Sequence, residues 1–208
     1  MDKQGISIDE YLRKLRALRT LPFVSAGLVT ANVVIYLLCQ LPGDVLYERG
    51  CLSAYDIIVN EEYGRIFWSM FLHADTSHLF SNMIILLFMG AMIEKETGHL
   101  SFAGIYLASG LGGNLLSLAG KIARNDWAVS LGASGAIFGL DGLLLALVLF
   151  SRRRMENITI GRVLLMIAMS LYSGFTGGNV DNLAHIGGLL AGFVLGVLLS
   201  IYLRISRR

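Results

Sequence analysis

Long apolar stretches separated by short polar ones set the organisation of the chain. Apolar runs occupy 22–41, 78–93, 100–118, 134–150, 159–175 and 184–203. At about 1.5 Å per residue each makes a helix of about 24–30 Å. A hydrocarbon core is about 30 Å thick, so each run is a candidate transmembrane helix, the shortest only just long enough. Ahead of them, residues 1–21 alternate charge with Ile6, Ile8, Tyr11, Leu12, Leu15 and Leu18, the pattern of an amphipathic helix on a membrane surface. That segment lacks the early apolar core and small-residue cleavage site of a signal peptide, and no large extramembrane domain is expected. Pro22 and Pro42 bracket the first run, where a missing amide donor costs least. Residues 42–77 are too many for a turn and include several aromatic and apolar positions, which predicts a structured loop partly embedded at the interface. The pattern predicts an all-α polytopic membrane protein with a six-helix domain over 22–203, a cytoplasmic segment at 1–21 and a basic cytoplasmic tail at 204–208.

Composition supports the membrane reading. With 55% hydrophobic and 15% charged residues and a mean hydropathy of +0.65, the chain is too apolar for a soluble domain, in which charged residues approach about a quarter. A net charge of +2 gives no footing for nucleic acid, which is excluded as a partner. Most of the 17 Lys and Arg fall on the N-terminal side of the predicted bilayer, Arg152, Arg153, Arg154, Arg204, Arg207 and Arg208 among them. Arg49, Arg65, Lys121 and Arg124 fall on the other. Basic short loops stay in the cytoplasm, so both termini are predicted cytoplasmic, in a multi-pass cell-membrane protein read as prokaryotic. Cys39 and Cys51 lack metal-ligand spacing, and a disulfide between them stays open.

Polar side chains in a bilayer need a partner or a task. His78 and Asn82 on the second run, Ser134 on the fourth and His185 on the sixth all stand at the predicted outer ends of their helices, at one membrane depth. A serine hydroxyl becomes a nucleophile when a neighbouring base takes its proton, and His185 is the candidate base. Gly188, Gly192 and Gly196 repeat every four residues below His185, and Gly135 and Gly139 lie below Ser134. Packing one small face on the other predicts that Ser134 and His185 meet. His78 and Asn82, four apart on one face, and the Ser134 amide at a helix start are candidate donors to an oxyanion. Asp141 lies about 10 Å along the helix from Ser134, too far for a triad acid, and reads as a structural carboxyl.

These residues resemble the rhomboid intramembrane serine proteases. "GASGAIFG" around Ser134 is similar to that family's Gly-x-Ser-Gly motif and "AHIGGLLAG" to its Ala-His-x-x-Gly-x-x-x-Gly motif. "HADTSHLFSN" carries its His-x-x-x-Asn as His78 and Asn82, and "GAMIEKETG" and "YLASGLGGNLLS" also match. The resemblance covers roughly 65–203. It implies hydrolysis of a peptide bond in or near the outer end of a substrate's transmembrane segment, after a small residue. It implies Ser134 as nucleophile, His185 as general base and acid, His78, Asn82 and the Ser134 amide as oxyanion hole, and Phe138 stacked on the histidine, with no cofactor or metal. It implies transmembrane protein substrates and the lipid bilayer as partners. The family often has Trp before Arg65, where this chain has Gly64, with Trp68 the nearest tryptophan. The glycine-rich stretch "SGFTGGNVDN" beside His185 reads as a movable cap. Two other readings stand beside the protease: a non-catalytic relative that binds membrane proteins, which would lack Ser134 or His185, and a transporter, which would show an inverted repeat.

Overall fold

A computed structural model describes residues 21–43, 45–150, 160–176 and 180–205. The long helices are α1 (Phe23–Cys39), α5 (Thr76–Thr97), α6 (His99–Arg124), α7 (Ser134–Phe150), α8 (Ile160–Thr176) and α9 (Asn182–Ile205). Between α1 and α5 lie three short helices, α2 (Val45–Gly50), α3 (Ala54–Val59) and α4 (Arg65–Trp68), followed by a 3₁₀ turn at Ser69–Phe71. Among the described residues the regular structure is helical, apart from one isolated antiparallel bridge, Leu52 to Ser130. The segment expected as amphipathic, residues 151–159 with their arginines, the centre of the glycine-rich stretch and the last three residues lie outside the described set.

Burial is inverted relative to a water-soluble bundle. Phe88, Leu100, Leu164 and Leu198 are exposed, Leu100 at 91%, whereas Ser25, Asn32, Glu94 and Ser109 are completely buried. A surface this apolar suits lipid, and the polar groups turned inward need partners within the protein. Among the described residues, Thr76–Thr97, His99–Arg124 and Asn182–Tyr202 are long and apolar enough to cross a membrane. Phe23–Cys39 and Ser134–Phe150 are apolar but shorter.

Local chemistry sets where the helices begin and end. Asp75 caps α5 by accepting the His78 amide at 2.8 Å, and α5 gives way to α6 at Gly98, whose φ of +86° favours glycine. Asn125, left-handed at φ 51°, ends α6. Both helices outrun the apolar limits of 78–93 and 100–118, because Glu94 and Lys121, which look like loop charges, are buried helical residues. The main core joins Met70 and Phe71 to Leu86, Met89, Phe102, Tyr106, Ile137, Leu140 and Leu144.

The loop over 42–77 is structured, as expected, but its anchor differs from a tryptophan. Arg65, 7% exposed, donates to the carbonyls of Glu48 at 2.7 Å and Cys51 at 3.1 Å and pairs with Glu62 at 2.6 Å and Asp56 at 3.3 Å. Trp68 is half exposed, and its ring meets those of Phe67 and Phe71. Cys39 and Cys51 are thiols in one small cluster with Leu72, with no disulfide between them.

Candidate active site

Helices α7 and α9 touch through the glycines that the sequence repeats. A Cβ at Gly188 would overlap the Gly135 carbonyl, and one at Gly192 the Gly139 carbonyl. Only hydrogen at these positions lets the backbones come this close. The same face of α9 also meets α6, where a Cβ at Gly113 would stand 2.6 Å from the Ala184 carbonyl. Helix α9 is thus gripped from two sides immediately beneath His185.

With the backbones fixed, Ser134 at the first position of α7 and His185 in the first turn of α9 come together, Nε2 to Oγ at 2.9 Å. His185 is 8% exposed and its ring stacks on Phe138, with centroids 4.1 Å apart and planes 10° apart. Phe138 lies one turn along α7 from Ser134, so the helix that supplies the hydroxyl also supplies the surface that holds the imidazole. An imidazole nitrogen hydrogen-bonded to a serine hydroxyl is able to take its proton.

Gly132 and His78 define the space beside that pair. Gly132, the first glycine of the Gly-x-Ser-Gly stretch, has φ +131°. A Cβ there would stand 3.1 Å from Nε2 of His78 and 3.7 Å from Oγ of Ser134. The imidazole of His78 and the Ser134 hydroxyl therefore border one gap, which a side chain at 132 would fill. Asn82, one turn along α5 from His78, is 3% exposed and its Nδ2 has no hydrogen-bond partner among the described residues. The Ser134 amide is among the first-turn donors that no intrahelical carbonyl satisfies. A gap bordered by the His78 imidazole and by the Ser134 hydroxyl at a helix N-terminus suits a negatively charged oxygen.

Asp141 is 1% exposed, and neither of its oxygens has a hydrogen-bond partner among the described residues. The Ser170 hydroxyl of α8 bears on its carboxyl without meeting hydrogen-bond geometry. Ser134 and His185 make their contact without it.

Residues that the sequence reading passed over stand close by. The His73 ring, 2% exposed, meets His78 edge-on with centroids 5.1 Å apart. Burial, reinforced by the His78 imidazole, pushes His73 down to about 3, so it is neutral at ordinary pH. Asp181 accepts the Ala184 amide at 3.1 Å and so caps α9. Burial raises its pKa, but hydrogen bonds from Ser117, Ser130 and the Ala184 amide, with Lys121 nearby, hold it below the ordinary carboxylate range. A histidine five residues before His78 and an aspartate four before His185 were the available signals.

Comparison with known proteins agrees with the geometry. The family model described as the Rhomboid domain matches residues 60–202. RHOMBOID-like protein 4 of Arabidopsis thaliana is 38% identical over 158 residues, 75% of this chain and 39% of that protein. Rhomboid-like protease 1 of Toxoplasma gondii is 36% identical over 148 residues, 68% of this chain and 49% of that protein. YdcA of Bacillus subtilis (strain 168) is 32% identical over 174 residues, 82% of this chain and 85% of that protein. The chain thus spans half or less of the first two proteins and most of the third. The relatives come from a plant, a parasite and a bacterium, so the likeness supports a membrane setting and not the one prokaryotic membrane expected from the sequence. A matched domain over more than half its length, reinforced by a relative aligned nearly end to end, makes this chain a member of the rhomboid family.

Proposed function

We propose that this chain is an intramembrane serine endopeptidase acting through Ser134 and His185. The observation that carries the reading is the 2.9 Å contact between Ser134 Oγ and His185 Nε2. Nε2 takes the hydroxyl proton as Oγ attacks the scissile carbonyl carbon, and the carbonyl oxygen becomes an oxyanion in the gap beside Gly132. Asn82 Nδ2, the His78 imidazole and the Ser134 amide donate to it, worth about 3–4 kcal/mol of barrier for a well-placed donor. The imidazolium then gives its proton to the leaving amine, the C–N bond breaks, and an acyl-enzyme on Ser134 remains. Water, deprotonated by His185, attacks that ester, the Oγ bond breaks and Ser134 recovers its proton. Phe138 keeps the imidazole in one plane through both transfers.

The substrate fits the setting. An apolar groove between α5 and α8, lined by Phe80, Ser81, Ile84, Met169 and Tyr172, faces the surface that suits lipid, so an apolar helix reaches the site from the side. A helical peptide bond is shielded, and segments with Gly, Pro or small residues unwind most cheaply to expose it. We read residues 22–203 as a six-span domain with both termini in the cytoplasm and the Ser134 end toward the opposite face. Reconstituted parent protein should cleave at least one member of a panel of transmembrane helices carrying such residues, and Ser134→Ala none. Equal cleavage by both would sink the proposal, and a folded parent that cleaves nothing would favour the non-catalytic reading.

A further inference from the structure

The sequence draws attention to Asp141 as the carboxylate near the serine, yet the geometry points to Asp181. Asp181 lies one turn before His185, and its main-chain carbonyl accepts the His185 amide at 3.2 Å. Its Oδ1 accepts the Ala184 amide at 3.1 Å, and its Oδ2 accepts a short hydrogen bond from the Ser117 hydroxyl of α6. The Ser130 hydroxyl, in the loop that leads to Ser134, bears on the same carboxylate. One side chain therefore joins the start of the His185 helix, the body of α6 and the approach to Ser134.

Helix α6 supplies the other half of the clamp. Asn114, Ser117 and Lys121 fall three and four apart and so share one face. Asn114 Nδ2 donates to the Ile66 carbonyl at 2.7 Å and to Ser69 Oγ at 2.9 Å, and the Ser69 carbonyl accepts the Gly132 amide at 2.9 Å. Lys121, 5% exposed, donates to the Ala128 carbonyl at 2.7 Å. It also places a positive charge near Asp181. Asn114 and Lys121 thus hold the loop before Ser134 at two points, and Ser117 holds the cap of His185. The two reacting residues are separated by 51 positions in sequence but referenced to one row of α6.

We propose that Asp181 is a positioning residue for the Ser134–His185 pair, acting through the cap of α9 and its bond to Ser117. The inference rests on the dyad reading above. Ser134 and His185 arrive on separate segments, and glycine packing lower in the helices fixes the separation of the axes but not the rotation of the first turn of α9. Asp181 sets that rotation. Its charge matters as well as its shape, since a half-buried carboxylate near Lys121 makes charge-assisted bonds that a neutral amide makes more weakly.

The test uses the full chain in vesicles, at a temperature well below the melting point of every variant. Four quantities are followed: kcat and KM on a transmembrane peptide, the rate of fluorophosphonate labelling, and Tm. Asp181→Asn keeps a capping oxygen and the volume but loses the charge, and should lower kcat and the labelling rate together by about tenfold, with KM changed less than about threefold. Ser117→Ala should do the same more weakly, and the double variant should be no slower than Asp181→Asn alone, because the two form one contact. Asp181→Glu should recover part of the rate. Asp181→Asn and Ser117→Ala both labelled at the parental rate would overturn the positioning role, as would fully additive losses in the double variant. If the parent itself does not label at Ser134, the dyad reading fails and this inference with it, a result distinct from equal labelling.

Discussion

The two ends of α5 treat buried polar groups in opposite ways. At the end away from Ser134, Glu94 is completely buried and its carboxylate is fully used. It accepts the amides of Val24 and Ser25 at 2.8 Å, the Ser25 hydroxyl at 2.6 Å and pairs with His99 Nδ1 at 2.5 Å. Helix α1 starts after Pro22 with no side-chain cap of its own, so Glu94 caps it from the neighbouring helix. At the other end Asn82 is also buried, and its amide nitrogen has no partner among the described residues. A buried group that folds the protein finds its partners in the protein. One that does not is an unmet cost, tolerable where something else is meant to arrive. Orphan status alone is not enough, since among the described residues Ser200 shares it. Asn82 differs because it shares a helix face with His78, which borders the same gap as Ser134.

The comparison breaks most clearly on Asn82. Asn82→Ala should lower turnover by about 10- to 1000-fold, as loss of one oxyanion donor does, while Tm holds or rises because an unsatisfied amide is removed. Cleavage rate and thermal unfolding on the same preparation give both halves. A parental rate would remove Asn82 from the site, and a large fall in Tm would make it structural.

Glu94→Ala should act the other way round. It strands the Val24 and Ser25 amides, each worth about 1–3 kcal/mol when left unmade, and should lower Tm strongly while turnover per folded molecule changes by less than about threefold. Loss of turnover at unchanged Tm would mean the two ends do not divide labour as argued.

The smallest expected effect is one of pH. His73 titrates at about 3 in the fold against an ordinary value of about 6.5. The unfolded chain therefore takes up a proton in that window and the folded chain does not. Stability from this group is whole above about pH 6.5 and declines as pH falls toward 3. Asp181 behaves similarly over a lower window, its contribution present above the ordinary carboxylate value and lost as pH falls through its depressed one. Melting curves of parent and His73→Asn from pH 7 to pH 4 should converge as pH falls. Parallel curves would mean that His73 is not held neutral.

The contact between Ser134 and His185 was legible because close helix approach writes itself into sequence as missing side chains. Gly188 and Gly192 against Gly135 and Gly139 mark the interface, and the residues at its end follow. Stacking of Phe138 was legible from its spacing and from the family resemblance. Asp181 was not, because an aspartate after a glycine-rich stretch looks like an ordinary helix cap, and its partner Ser117 is 64 residues away in an otherwise apolar helix. Arg65 lost prominence for the opposite reason. The family resemblance implies a tryptophan beside it, whereas the loop is held by the arginine's own bonds to main-chain carbonyls. Helix α6 ran past its predicted end because Lys121 reaches the Ala128 carbonyl, a partner that periodicity does not reveal.

The central claim is that Ser134 is an activated nucleophile and His185 the base that activates it. The most direct measurement is the intact mass of the vesicle-reconstituted protein after exposure to a fluorophosphonate, for the parent, Ser134→Ala and His185→Ala, each shown to be folded by its melting transition. The account predicts a single adduct on the parent, mapped to Ser134, and none on either variant over the same time. An adduct on folded Ser134→Ala at the parental rate, or a folded parent that takes up no reagent, would contradict it.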